Sequence, residues 1–191
     1  MNIKKFLCWV SGIAVAILLT VLAITYNRNK NVPDNVQPTF TEYLVEDFNY
    51  AHSFDTDSVE VRFYEVDAIL NGNLDTLSAD EVKILSTMTV FTVYDTVYFL
   101  TRTYETGETV IEKKEGMWLG SDNLTDVNVN ITFEDAVDRL YKFGTIPSGD
   151  KMVFRCPIDM RDAYDPLYIF GTHSSGFVAV DSRTGDTYEI E

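Results

Sequence analysis

An α+β domain held behind an N-terminal transmembrane helix is the fold this sequence predicts. Three observations carry that prediction. Residues 6–27 are uncharged and mostly apolar. Val, Ile, Phe and Tyr alternate with polar residues from Val59 to Lys113 and again after Pro147, the two-residue period of antiparallel strands. Between these stretches, one segment carries an apolar stripe of period 3.6 bracketed by a cap and a glycine stop.

Residues 1–5 read as a cytoplasmic tail, 6–27 as a signal anchor and 28–38 as a linker. As a helix, the apolar run FLCWVSGIAVAILLTVLAITYN spans about 33 Å, against about 30 Å of bilayer hydrocarbon. Trp9 and Tyr26 fall near its ends, where amphipathic rings favour the interface. Cys8, Gly12, Ala16 and Thr20 form a small-residue stripe of the kind that lets membrane helices approach closely. The run exceeds the ~7–15 residues of a signal-peptide core, which favours a retained anchor. Val21 and Ala23 keep the alternative open, since cleavage after Ala23 would release a secreted domain. Lys4, Lys5 and the amino terminus precede the span, whereas Arg28 and Lys30 follow it. That slight excess places the tail inside and residues 28–191 outside the cytoplasm. The linker is polar, holds Pro33 and Pro38, and shows no periodicity.

Residues 39–130 read as a β-rich part. At its start, Phe40, Tyr43, Leu44 and Phe48 sit at helical spacing, while FNYAHSF (48–54) suits irregular chain equally well. Val59, Val61 and Phe63 then alternate, and the phase shifts to Val66, Ala68 and Leu70, which is what a β-bulge near Tyr64–Glu65 looks like in sequence. Asn71-Gly72 ends that strand. Ser78 and Glu81 form a capping box, but residues 83–104 are dense in Val, Ile, Thr, Phe and Tyr. Two strands meeting at Tyr94-Asp95 fit them better than a long helix. Thr106-Gly107 turns the chain into a strand at Thr109–Lys113, and a short Met117–Leu119 segment follows Gly116.

Residues 131–191 open with the helix. Thr132 caps it and Asp135 completes the box; Phe133, Ala136, Val137, Leu140 and Phe143 form its apolar stripe. Glu134 and Asp135 at the start, Arg139 and Lys142 at the end, and Gly144 beyond all suit the helix dipole and a glycine stop. Strands follow at Lys151–Arg155, Leu167–Phe170, Phe177–Val180 and Thr187–Ile190. Asp181-Ser182-Arg183-Thr184-Gly185 is a tight turn between the last two.

Ile131-Thr132-Phe133-Glu134-Asp135-Ala136, followed downstream by Phe177 to Asp186 with its D-x-x-T-G turn, resembles a PepSY-type domain over roughly the C-terminal third. Such domains occur in the cell envelope, in propeptides of thermolysin-type proteases and in membrane-anchored regulators. They are similar to cystatin-like α+β folds, with a helix on an antiparallel sheet. The resemblance implies a binding or inhibitory module and supplies no catalytic residues.

Charge narrows the partners. The first 30 residues hold four of the 15 basic residues and none of the 30 acids, which leaves the rest of the chain at −19. That field repels phosphate backbones, so nucleic acid is not an expected partner. It suits a basic protein partner, although solubility alone is the stronger account of the charge. With two cysteines, one of them in the apolar N-terminal run, the domain has no internal disulfide framework.

Chemistry-bearing residues are sparse. His52, His173 and Cys156 lack zinc-ligand spacing, so no metal site is expected. Asp55-Thr56-Asp57-Ser58-Val59-Glu60 starts like a calcium loop but puts Val59 at a ligand position and lacks the turn glycine. Thr172-His173-Ser174-Ser175-Gly176 reads as a hairpin loop, since Ser–His pairs converge in space and not along the chain. Cys156 and His173 could pair as thiol and base, though Cys156 also reads as a strand-end residue. The ten glycines are scattered singly and form no phosphate loop. Trp118 stands out as a candidate contact, with core burial the expected alternative. No catalytic residue, cofactor or metal is therefore assigned.

The leading expectation is a membrane-anchored, extracytoplasmic, acidic protein-binding module without catalysis. A second is an immunity or inhibitor protein that neutralises a basic toxin or protease, because an acidic face speeds encounter with a basic target. A third, an envelope hydrolase using Cys156 or His173, is disfavoured.

Overall fold

A computed structural model describes residues 37–57, 59–120, 122–156 and 165–190. Residues 6–27 lie outside the described residues, and so does the anchor expected there. Among the described residues, no helix is long and apolar enough to cross a membrane.

Helix α1 (Phe40–His52) resolves the ambiguous start. Thr39 caps it: Glu42 N–H donates to Thr39 Oγ1 at 3.3 Å, and Glu42 Oε2 accepts from Thr39 N–H at 2.8 Å. This closed box nucleates a helix that spacing alone leaves undecided. Phe40, Tyr43, Leu44, Asp47 and Ala51 form its buried face.

Strand β1 (Val61–Leu70) follows, with a register shift between Phe63 and Glu65 at the expected bulge. Two single 3₁₀ turns, Leu74–Thr76 and Ala79–Glu81, fill the next connection, and the Ser78 box caps the second of them. Strands β2 (Ile84–Val93), β3 (Thr96–Thr103) and β4 (Thr109–Glu115) form a meander, with the hairpin at Tyr94-Asp95. Met117–Leu119 forms no strand.

Helix α2 (Phe133–Phe143) matches its expected bounds and ends at Gly144. Two details differ from expectation. Thr132 accepts from Asp135 N–H at 3.2 Å, but no reciprocal bond closes the box, because aspartate is one methylene shorter than the usual glutamate. Phe143 ends the stripe exposed, at 42%. Strands β5 (Lys151–Arg155), β6 (Leu167–Thr172), β7 (Gly176–Asp181) and β8 (Thr187–Ile190) complete the chain.

The eight described strands join one antiparallel sheet in the order β4-β3-β2-β1-β5-β6-β7-β8. Helix-then-four-strands therefore occurs twice, and the sheet order mirrors about the β1–β5 pair. α1 packs on β1 and β2, and α2 on β7 and β8. The equivalent first residues of the two helices, Phe40 and Phe133, meet with ring centroids 6.2 Å apart. Phe154 and Tyr168 complete this ring cluster, at 5.7 and 5.9 Å from Phe40. Tyr168 satisfies its hydroxyl by donating to the Ile131 carbonyl at 2.8 Å. The main core lies between helices and sheet and joins both halves into one compact unit, residues 38–191.

The turn after β7 closes as its sequence implies. Asp181 Oδ1 accepts from Arg183 N–H and Thr184 N–H, each at 2.8 Å, and Gly185 takes φ 77°. Gly171, in β6, is the stricter glycine. Its φ is 113°, and a Cβ there would stand 2.3 Å from the Gly176 carbonyl oxygen and 2.9 Å from Pro147 Cβ. Gly171→Ala is expected to cost about 2 kcal/mol, measured by urea unfolding of residues 38–191. A loss below about 0.5 kcal/mol would show that the β6–β7 hairpin yields to the added methyl.

Candidate functional site

Residues paired across an antiparallel ladder share a face, so register assigns each strand side chain to one side of the sheet. Val66 and Ala68 of β1, paired with Phe154 and Met152 of β5, face the helices. Glu65, Asp67 and Ile69 then face the other way, opposite Arg155, Val153 and Lys151. No described helix covers this second face.

At the β1–β5 junction this open face holds two acids from one half and two bases from the other. Glu65 is 5% exposed, yet its Oε2 has no hydrogen-bond partner among the described residues. Arg155 Nη1 lies 3.7 Å from that oxygen, beyond hydrogen-bond reach, and donates to the Gly120 carbonyl at 3.0 Å. Arg155 Nε is also unsatisfied. Asp67 is half-buried; burial first, and the Glu65 charge second, push its carboxyl up to about 6, while Arg155 and Lys151 pull the other way. These four residues line a cavity of about 400 Å³, walled by Val153, Ile169, Phe177 and Ile190. A second cavity, of about 460 Å³, shares Asp67 and Lys151 and runs over Ser86, Met88 and Thr101. The apolar wall belongs to a separate buried cluster centred on Leu167, Ile169 and Ala179.

A third cavity, about 330 Å³, lies on the same face near the β2–β3 hairpin, between Arg62, Tyr64, Thr92 and the 117–119 segment. Trp118 is half-buried there, edge-on to Phe99 with centroids 5.9 Å apart. It therefore packs on the open face and not in the core, which corrects the expectation of core burial. Its neighbours Met117 and Leu119 are 80% and 85% exposed. Tyr94, 76% exposed, adds a third apolar group and holds a left-handed φ of 58°, uncommon for a bulky residue.

The sequence candidates do not converge. His173 sits in the β6–β7 turn, edge-on to Phe177 at 5.2 Å, and lines the 400 Å³ cavity. Cys156 follows β5 at its opposite end, next to Arg155, which pairs with Leu167. Five to six residues of strand separate them, about 17–20 Å, too far for a thiol–base pair. Burial, with the charges of Asp122 and Asp165, pushes the Cys156 thiol up, away from thiolate. His52 ends α1 on the helix side, with Nδ1 3.6 Å from Asp55 and its ring 4.3 Å from Phe48. Thr56 and Val59 form an isolated bridge in place of an ion loop. Among the described residues, no group of three or more His, Cys, Asp or Glu gathers as a metal site.

Sequence reading singled out none of Glu65, Asp67, Lys151 and Arg155. The available signal was charge at alternate positions of two strands, Glu65/Asp67 and Lys151/Arg155, and only the β1–β5 pairing gives it meaning. No protein-family model matches the chain, and neither curated proteins nor solved structures yield a match.

Proposed function

We propose that this chain is a membrane-anchored, extracytoplasmic module that binds a basic protein and performs no catalysis. The observation that carries the reading is the open face of the sheet, which offers grooves and the exposed apolar group Tyr94, Met117 and Leu119 within a region of charge −19. Exposed apolar groups beside polar residues suit protein contact, and the acidic field steers a basic partner toward them. The order of one helix followed by antiparallel strands supports the PepSY and cystatin-like reading of residues 131–191. The apolar run at 6–27 supports the anchor.

The test is a pull-down with the full chain in detergent from an envelope extract, read by mass spectrometry. A basic protein is expected to bind at low salt and to dissociate as ionic strength rises. The double variant Met117→Ser, Leu119→Ser is expected to reduce its capture at least about tenfold. Undiminished capture by that variant, or partners that are not basic, would overturn the reading. Protease added to intact spheroplasts is expected to digest residues 38–191; full protection would place the domain inside.

A further inference from the structure

We propose that the cavity at the β1–β5 junction binds a free α-amino acid with an apolar side chain. The ligand's ammonium would meet Asp67 and Glu65, its carboxylate Lys151, and its side chain the wall formed by Val153, Ile169 and Phe177.

Unmet hydrogen-bonding capacity is the first support. Buried carboxylate oxygens are ordinarily paired, because an unsatisfied one costs kilocalories. Among the described residues Glu65 Oε2 is buried without a hydrogen bond; its cross-strand Arg155 holds it only as an ion pair at 3.7 Å and donates instead to the Gly120 carbonyl. Asp67 has neither a hydrogen bond nor an ion pair within 4.0 Å among the described residues, although it is half-buried. On the next strand, exposed Lys151 also lacks an ion pair among the described residues. Both signs of charge are thus left open on the walls of one cavity.

Charge balance selects the ligand class. Two acids and two bases make the site neutral overall, so a simple amine or a simple acid meets repulsion as well as attraction. A ligand carrying both charges a few ångströms apart meets both pairs favourably. The apolar wall adds a pocket for an aliphatic or aromatic side chain, and about 400 Å³ is within the range of small-ligand sites, about 300–1,000 Å³. The location fits as well: the site sits where the two halves of the sheet meet, with the acids from one and the bases from the other.

Isothermal titration of the full chain in detergent micelles with L-leucine and L-phenylalanine tests this. Saturable binding is expected for at least one of them. Leucinol, which lacks the carboxylate, 4-methylpentanoate, which lacks the ammonium, and leucylglycine, whose charges lie further apart, are each expected to bind at least about tenfold more weakly than leucine. Asp67→Asn and Lys151→Gln are each expected to weaken the tighter amino acid at least about tenfold. Neither variant threatens the fold, because Lys151 is exposed and Asp67 is held there against the cost of burial; thermal unfolding of each variant checks this. Absence of saturable heat up to about 10 mM of both amino acids would overturn the proposal. So would equal binding of any of the three analogues, or undiminished binding by both variants. Partner capture by Asp67→Asn separates the two readings. Retained capture with lost amino-acid binding supports this site without touching the protein-binding reading, and normal amino-acid binding without any captured partner leaves this site standing alone.

Discussion

Arg102→Met is expected to destabilise the domain by about 3–5 kcal/mol, because it strands a buried carboxylate. Arg102 is 9% exposed and Asp47 1%, both between α1 and the sheet. Alternation puts Tyr98, Leu100 and Arg102 on the helix-facing side of β3, so a guanidinium occupies a core position. Asp47, on the buried face of α1, meets it: Arg102 Nε donates to Asp47 Oδ1 at 2.6 Å, and Thr89 Oγ1 donates to Asp47 Oδ2 at 2.6 Å. Arg102 also reaches Glu46 at 3.0 Å, donates to Thr109 Oγ1 at 3.3 Å, and lies 4.7 Å over the Tyr43 ring. Burial pushes the Asp47 carboxyl up, against the Thr89 and Arg102 hydrogen bonds that pull it down. Burial likewise works against the guanidinium, but the Asp47 bond and the Asp47 and Glu46 charges outweigh it and hold the Arg102 pKa above its usual value. Removing the arginine leaves Asp47 with one hydroxyl and no counter-charge. In the double variant Asp47→Leu, Arg102→Met, neither charge remains, and stability is expected to return to within about 2 kcal/mol of the parent. Urea unfolding of residues 38–191 for parent, single and double variants closes the cycle. A single-variant cost below about 1 kcal/mol would show that water reaches Asp47.

Asp67→Asn should do the opposite and stabilise the domain at neutral pH. The Asp67 carboxyl is raised from 3.8 to about 6 on folding. Between those values the folded chain keeps a proton that the unfolded chain has lost, so stability falls as pH rises. The favourable contribution is complete below about 4 and gone above about 6, the reverse of a salt-bridged carboxylate. The full difference corresponds to at most about 3 kcal/mol, at about 1.4 kcal/mol for each pH unit. Groups facing Asp67 are Glu65 on its own strand, Lys151 and Arg155 on β5, and His173 across the cavity. Asparagine keeps the shape and cannot ionise. The variant is expected to gain about 1–3 kcal/mol at pH 7.5, little at pH 4, and to flatten the slope between. Equal stability of variant and parent at both pH values would mean that the carboxylate is well solvated. A stabilising loss at a cavity wall is what a residue kept for binding and not for folding would show.

Much of the fold was legible because local signals agreed. The phase shift from Phe63 to Val66 predicted the β1 bulge, Tyr94-Asp95 the hairpin, and Thr132 with Gly144 the limits of α2. α1 was less legible. Phe40, Tyr43, Leu44 and Phe48 balance helix against irregular chain when spacing alone is weighed, and the Thr39–Glu42 box that decides it was present in the sequence. The duplicated order of helix and four strands was hidden because the halves share little beyond a Thr-Phe start at Thr39-Phe40 and Thr132-Phe133. Trp118 could not be placed from its neighbours. The β3 residue Phe99, distant in sequence, gives its ring a surface to rest on.

Alternation and capping are local properties, so the order of residues marks most strands, the second helix and the faces that strand side chains share. It also determined the acidity of the chain after residue 30. Strand order is not local. Pairing β1 with β5 brings Glu65 and Asp67 beside Lys151 and Arg155 across more than 80 residues, and closing α1 onto β3 buries Asp47 against Arg102. Those encounters, and with them the cavity, its unsatisfied carboxylate and the raised Asp67, come from the folded chain, because desolvation and charge proximity exist only once distant segments share one low-dielectric space.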